Sequence, residues 1–416
     1  MLVLGINAYH PDASCALMKD GMLLWAAEEE RFNRIKHSYG LPTLALRACL
    51  KEMGIKSRMI DAVAVSKDPW AHLLRKFAFV AKEKPDSKLI LDRLNVFKRV
   101  SQFRQDLCEA LQEDPFSFRA RLIRVEHHLA HAASSFYVSG FERAAFLSLD
   151  GMGDFSSALW GFGERNRLHV LDRVYFPHSA GFLYTAGTQF LGFLNFGDEY
   201  KVMGLAGYGE PVYLDLFRRM IRMKKEGKFE LDLSFFVHHR GKAKIRWEKI
   251  IPEQDLVYSP KWIELFGKPR PPEDPITVRD ENIAASLQAV LEELYAHILN
   301  HLYRNRAVEH LCLAGGVAFN SVANGKIAKR TPFKHVYVQP AAGDAGTALG
   351  AAAFASYSAG KTARHFVMRH AFFGTESSPA QMEQAVQTAG LSYEKLSEDE
   401  LIDRTAQDLA SGKIVG

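Results

Sequence analysis

The chain has 416 residues and a formal net charge of +5, and its 47% hydrophobic and 24% charged residues are those of a folded globular protein. At about 150 residues per domain the length suits two or three domains with sizeable cores, which excludes collagenous, low-complexity and largely disordered classes. So small a charge excess, without long runs of like charge or basic tracts interleaved with aromatics, gives no reason to expect nucleic-acid binding.

The chain opens on MLVLGINAYH, which lacks a basic region leading into an apolar core and cleavage site. No later stretch is apolar over the roughly eighteen residues that a membrane span needs. Neither secretion nor membrane insertion is expected. Cys15, Cys49, Cys108 and Cys312 lie far apart and form no CxxC pair, which suits reduced, buried structural thiols and a cytoplasmic protein.

Leu2 to Ile6 predicts a buried strand ending at the polar turn Asn7 to Ser14. The chain resumes with Cys15 to Met18, reverses at Lys19-Asp20-Gly21 and continues from Met22 to Ala27, a strand, turn, strand, turn, strand grammar. Near residue 145 this grammar returns. Ala145 to Leu149 is an apolar run, Asp150 to Asp154 a glycine and acid turn, and Ser157 to Trp160 a second strand; a reversal at Gly163 to Asn166 leads to Leu168 to Tyr175. Two such units, each followed by helical material, predict a duplicated α/β domain over 1–370 with a cleft between its halves, about 1–144 and 145–370. In each, the turn between the first two strands carries small and acidic residues that can present N–H groups to phosphate or carboxylate oxygens.

Residues 71–120 read as a solvated helical insertion. Leu73, Leu74, Phe77 and Val80, then Ile90, Leu91, Leu94 and Phe97, have helical spacing, with Pro85 between the groups. A second insertion, about 211–280, mixes basic and aromatic residues and suits a substrate rim or an oligomer contact. Past about 370 the chain predicts a helix near 379–389, a strand near 391–395 and a helix near 398–410.

Chemistry gathers in short segments. In Glu126-His127-His128-Leu129-Ala130-His131, His127 and His131 at i and i+4 share one helical face and can chelate one metal ion, while His128 points elsewhere. Such a cluster also arises as simple polar packing at a helix start. Gly197 to Gly209 is too glycine-rich for a regular helix and holds Lys201, which can neutralise a phosphate or carboxylate or merely be solvated. Leu311 to Ala314 runs as a strand into Gly315-Gly316 and a helix with Asn320 and Asn324, after an amphipathic helix from Ile283 to Tyr303. Paired glycines there let a ligand approach the backbone. Tyr337 to Gly350 is another strand opening into a glycine and aspartate turn. Asp344 in that turn can cap the next helix or add an oxygen ligand to His127 and His131, a set suited to iron(II), manganese or zinc.

Taken in order, LGINAYHPDASCAL, AAEEERFNRIKH, EHHLAHAASSFY, GDEYKVMGLAGYG, LAGGVAFNSVANGKI and QPAAGDAGTALGAA resemble the O-carbamoyltransferases of the nodulation and antibiotic-tailoring type, over nearly the whole chain. The resemblance implies a duplicated actin-like, sugar-kinase-like and ribonuclease H-like fold. It implies transfer of a carbamoyl group from carbamoyl phosphate, through an ATP-dependent carbamoyl-adenylate, to a hydroxyl of a small-molecule or glycoside acceptor. The iron-type metal ligands fall on His127, His131 and Asp344. The proton-accepting base falls on His10, with Asp12 close enough in sequence to orient it. Nucleotide contacts fall on Asp150, Gly151, Gly315, Gly316, Asn320 and Gly346, with Lys201 on the phosphate side. A homodimer is suggested. The resemblance also implies a YrdC-like C-terminal domain that binds carbamoyl phosphate and ATP; residues 371–416 read as a linker and the beginning of that domain, so this chain by itself is expected not to form the adenylate. Relatives of the fold leave two other readings, transfer of threonylcarbamoyl to tRNA and an ATP-dependent sugar or acetate-type kinase. The long insertions, the EEERF segment and the small charge excess stand against the tRNA reading.

Overall fold

A computed structural model describes residues 1–85, 97, 100–116, 118–240, 245–246, 252–359 and 362–416. Leu2, Leu4 and Ile6 are buried against one layer and Val3 against another, the alternation of a strand covered on both faces. They belong to β1 (Leu2–Asn7), the centre of a sheet with β2 (Ser14–Lys19), β3 (Met22–Glu28), β4 (Ala62–Val65) and β5 (Arg121–Arg124), in the order β3-β2-β1-β4-β5. Asp20 and Gly21 close the β2–β3 hairpin with φ of +49° and +85°, the paired positive values that such a tight turn requires.

The second sheet repeats the plan. β6 (Arg143–Gly153), β7 (Ser156–Glu164), β8 (Arg167–Tyr175), β9 (His310–Ala314) and β10 (His335–Val338) stand in the order β10-β9-β6-β7-β8. In each sheet the first three strands form antiparallel hairpins, and the first, fourth and fifth run parallel. The same order and directions in two sheets of one chain mark a duplicated α/β fold of the actin-like, ribonuclease H-like kind.

Helices α1 (Thr43–Glu52) and α2 (Phe103–Leu111) cover the outer face of the first sheet, burying Leu46, Cys49, Phe103 and Leu107 against Leu4 and Ile6. The second sheet is covered by α4 (Ala180–Phe190) and α6 (Val278–Asn305), with Leu183 and Leu287 against Leu147 and Leu149. Two helices lie between the sheets, α3 (His127–Phe136) and α7 (Gly346–Ala353), and they are exchanged. The first, α3, follows β5 of the first sheet yet packs on β6, β7 and β9; α7 follows β10 of the second sheet yet packs on β1, β2 and β4. Both are rich in alanine. A Cβ added to Gly350 would lie 1.8 Å from the carbonyl oxygen of Ala130, so the two helices cross with their backbones in contact and only glycine fits. This exchange brings residues of each half to the strand ends of the other.

Some expectations are corrected. The segment Gly197 to Gly209 does contain a helix, α5 (Glu199–Leu205), because all of its glycines but Gly204 fall outside the helical turns. Residues 391–395 are not a strand; among the described residues of 375–416 there is no second strand to pair with, and an isolated strand has no ladder of hydrogen bonds. In the insertion 71–120 a helix runs over Leu73–Glu83 with Leu74 and Phe77 exposed, while the spacing of Ile90, Leu91 and Leu94 lies outside the described residues. Contacts divide the chain into Met1–Gly374 and Thr375–Gly416. The latter holds α8 (Pro379–Thr388) and α9 (Glu398–Ala410), each with a capping box. All four cysteines are free and buried. Among the described residues no helix is long and apolar enough to cross a membrane.

Candidate active site

Ligands of open α/β sheets gather beyond the carboxyl ends of the strands. Here His10 follows β1, Lys67 follows β4, His127 follows β5, Gly315 follows β9, Asp344 follows β10, and Asp150 occupies the later part of β6. The helix exchange then brings them together. Nε2 of His127 and Nε2 of His131 stand 3.1 Å apart, and both face Asp150 Oδ2, at 3.3 and 3.4 Å, and Asp344 Oδ1, at 3.4 and 3.5 Å. The four ligand atoms all lie within 4.8 Å of one another, and both histidines are fully buried.

This set fits a divalent metal. Nitrogen ligands bound at about 2.1 Å and at right angles would stand about 3 Å apart. Two imidazoles with two carboxylates are donors for iron(II), manganese or zinc. The electrostatics point the same way. Burial alone would raise the Asp150 carboxyl, but its hydrogen bonds with His127 and His131 hold it well below the usual carboxylate range. Asp344 is likewise held low, against burial, chiefly by the His127 charge. Burial opposes protonation of His131, yet Asp150 and Asp344 push it up to about 9. A cation at this point would replace that proton.

The surroundings fix the histidines. Glu126 caps α3, accepting the Leu129 N–H at 2.9 Å, and is itself held by the Ser156 hydroxyl at 3.1 Å and Arg173 at 3.5 Å. Asp154 accepts N–H groups of His127, at 3.0 Å, and Asp68, at 2.7 Å, and burial raises its carboxyl to about 6. Gly153 has a specific role: a Cβ there would fall 1.9 Å from His127 Cδ2, so glycine is what lets the ring in. His128 is turned away, paired with Ser148 Oγ at 2.8 Å and the Ser156 carbonyl at 3.0 Å.

His10 completes the group. Its ring stacks on His127 at 4.6 Å between centroids, and its Nδ1 lies 3.5 Å from Asp344 Oδ2. Burial, with Lys67 and His127 nearby, lowers its pKa to about 3, so the imidazole is neutral at ordinary pH. Its Nε2 is buried and has no hydrogen-bond partner among the described residues.

Other residues singled out from the sequence are placed differently. Asp12 does not orient His10; its Oδ1 pairs with His37 Nδ1 at 2.7 Å, and Asp344 stands at His10 instead. Asp12, Glu30 and His37 form a second convergence of ligand atoms, already hydrogen-bonded within itself. Lys201 pairs with Asp198 at 2.7 Å and lies over the Phe193 ring. The Asn320 amide is taken up by Gln288, at 2.8 and 3.0 Å, and by the Ala323 N–H it caps. Gly316 donates its N–H to Asp150 Oδ1 at 3.1 Å, which ties the paired-glycine turn to the carboxylate that faces both histidines. Gly151 packs against Gly181 at the start of α4, and Gly346 donates its N–H to the Gly343 carbonyl at 3.1 Å.

Sequence reading assigned Asp150 to nucleotide contact and did not group it with His127, His131 and Asp344, which it faces. It also missed Lys67, Glu126 and Asp154. Asp150 gave one signal, an acid at the end of the second apolar run, where the first run ends in Asn7.

Comparisons with known proteins bear on the whole constellation. Residues 2–353 match the family described as Carbamoyltransferase N-terminus. An uncharacterized protein of Synechocystis is 35% identical over 437 aligned residues, covering 100% of this chain and 67% of that protein. Nodulation protein NolNO of Sinorhizobium fredii is 33% identical, covering 99% of this chain and 56% of its own length. The chain thus spans between about half and two thirds of these relatives. Among solved structures, T. kodakarensis HypF has a TM-score of 0.42 at 13% identity, over 87% of this chain and 48% of that one.

Proposed function

The chain belongs to the carbamoyltransferase family, and from that premise we propose that its buried histidine and aspartate centre transfers a carbamoyl group to a hydroxyl of a small-molecule or glycoside acceptor. The donor in this reading is carbamoyl phosphate, converted with ATP to carbamoyl-adenylate. The observation that supports it most is the His10 imidazole stacked on His127, with Nδ1 toward Asp344 and Nε2 without a hydrogen-bond partner among the described residues.

His127, His131, Asp150 and Asp344 would hold a divalent metal, which when bound would polarise the carbamoyl carbonyl or anchor the donor phosphate. The remaining chemistry falls to the chain. Asp344 Oδ2, 3.5 Å from His10 Nδ1, favours the tautomer protonated at that nitrogen, which leaves Nε2 to accept a proton. The acceptor oxygen then bonds to the carbamoyl carbon, the bond from that carbon to the adenylate oxygen breaks, AMP leaves, and the hydroxyl proton passes to His10. The Gly315-Gly316 turn packs against the Leu149 backbone and Asp150, where a Cβ on either glycine would clash, and in this reading it borders the nucleotide. Burial of both metal-facing histidines keeps water from competing with the acceptor.

The test supplies preformed carbamoyl-adenylate and a panel of hydroxylated acceptors to the protein purified without oxygen, with metal analysis of the same sample. A carbamoylated product and about one iron, manganese or zinc per chain are expected. No product with any acceptor overturns the transfer. Unchanged transfer by the His127→Ala, His131→Ala double variant removes the metal from it.

A further inference from the structure

The loop that carries His10 is bent by two left-handed residues, Tyr9 with φ of +59° and Asp12 with φ of +55°. A left-handed backbone is uncommon for any side chain, and for a bulky aromatic it is a true outlier that surrounding contacts must impose. Every polar group of Tyr9 is engaged. Its N–H donates to the Gly40 carbonyl at 3.0 Å, its carbonyl accepts from Lys67 Nζ at 2.7 Å, and its hydroxyl donates to Asp106. Its ring meets Phe103 edge to face at 6.4 Å.

These partners come from far along the chain. Lys67 stands just past β4 and is 8% exposed, an unusual burial for an ammonium group. Asp106 and Phe103 lie on α2, in the helical insertion, far from the metal-ligating residues in sequence. On the other side of His10, the Asn7 amide donates to the carbonyls of Pro11, at 2.8 Å, and Asp12, at 3.0 Å, which holds the loop's far end whatever happens at Tyr9.

We infer that Lys67 and Asp106 are positioning residues which together hold Tyr9 in its left-handed conformation and so aim the His10 ring at Asp344. The inference rests on the reading of His10 as proton acceptor. It gives the helical insertion a part in the reaction: α2 reaches His10 through the Tyr9 hydroxyl. Removing either clamp lets Tyr9 relax to an ordinary backbone region, which turns the next residue away from Asp344 and His127. The loss is one of geometry at the reacting centre, and misplacement by about 1 Å costs about a hundredfold in rate.

The test compares Lys67→Met, which keeps the aliphatic stem, with Asp106→Ala, at a half-buried helix position that tolerates truncation. In carbamoyl transfer both should lower kcat tenfold to a hundredfold, with acceptor KM and bound metal unchanged. A residue that favours the left-handed region needs less holding, so Lys67→Met should cost little further kcat in a Tyr9→Asn background. A readout independent of the reaction is the crystal structure of Lys67→Met, in which the separation of His10 Nδ1 from Asp344 Oδ2 should grow well beyond 3.5 Å. If wild-type protein transfers no carbamoyl group, the functional reading falls and this structure alone decides the clamp. Wild-type kcat in both variants, or an unmoved His10 in the structure, overturns the inference.

Discussion

His10 Nδ1 stands 3.5 Å from Asp344 Oδ2, and the other oxygen of that carboxylate lies 3.4 Å from His127 Nε2. One side chain thus faces both the proposed metal-ligand set and the proposed base. His10 touches the cluster but adds no ligand atom to it. His10→Gln is therefore expected to lower kcat by about 10² to 10⁴, the usual worth of a general base, with metal content unchanged. Asp344→Asn should lose both. Steady-state kinetics with metal analysis of the same preparations check the split; loss of metal from His10→Gln would contradict it.

Its place facing both imidazoles sets Asp150 apart from the other turn residues and makes it the proposed fourth ligand. Asn at this position keeps an oxygen for the Gly316 N–H, now at 3.1 Å, but removes the charge that faces both histidines. Asp150→Asn should weaken metal binding tenfold or more while melting close to wild type. Lys201→Ala is the contrast. Its pairing with Asp198 is partly exposed, and such pairs contribute about 0 to 1 kcal/mol, so metal binding should not change. Competition titration with a chelating dye measures both. Equal affinity of Asp150→Asn and wild type would restrict the ligands to the histidines and Asp344.

Two glycines of one turn should behave oppositely. A Cβ on Gly153 meets the His127 ring at 1.9 Å, whereas one on Gly151 meets nothing within 4 Å. Gly153→Ala must push the ring or the hairpin aside, at about 1 to 3 kcal/mol, and lose metal affinity with it. Gly151→Ala should keep both the melting temperature and the metal. Thermal melts with and without added metal distinguish them, and equal behaviour of the two variants would show that the hairpin yields easily.

What was legible in the sequence follows from how local each signal is. Strands β1 to β3 and β6 to β8 were readable because apolar runs alternate with Asp-Gly and Gly-rich reversals, all within short windows. His127 and His131 were readable because four residues along a helix is a fixed distance in space. The exchange of α3 and α7 between sheets leaves no such mark, since it pairs elements that are remote in sequence. The convergence of Asp150 on His127 and His131 was hidden for that reason: an acid in a glycine turn looks the same whether it faces a phosphate or two imidazoles from another half. Asp12 misled by adjacency, because its left-handed backbone leads its carboxylate to His37 instead of His10. Asp198 and Lys201 stand three apart, a spacing that allows their pairing, but the sequence reading of Lys201 as a phosphate-side or solvated residue passed over it.

The Asp12–His37 pair gives a dependence on pH that can be separated from the metal centre. Burial disfavours the charged His37, but the 2.7 Å hydrogen bond to Asp12 and its negative charge outweigh this and raise His37 above its ordinary 6.5. A histidine whose folded pKa is raised adds stability that is fully present below about pH 6.5 and fades as the pH climbs through the folded value. Asp12 is itself raised, mainly by burial, so its own contribution falls at lower pH, from about 3.8 upward. Replacing His37 tests the part of the slope above pH 6.5 that His37 carries. In His37→Gln the melting temperature should fall less between pH 6.5 and 9 than in wild type, with the two curves closest at the alkaline end. His131 titrates near the top of that window in metal-free protein, and taking the difference between variant and wild type, both metal-loaded, removes it. Parallel curves across the range would mean that the pair carries no net proton linkage and that His37 serves only to pack its ring edge against Phe196, 5.1 Å away between centroids.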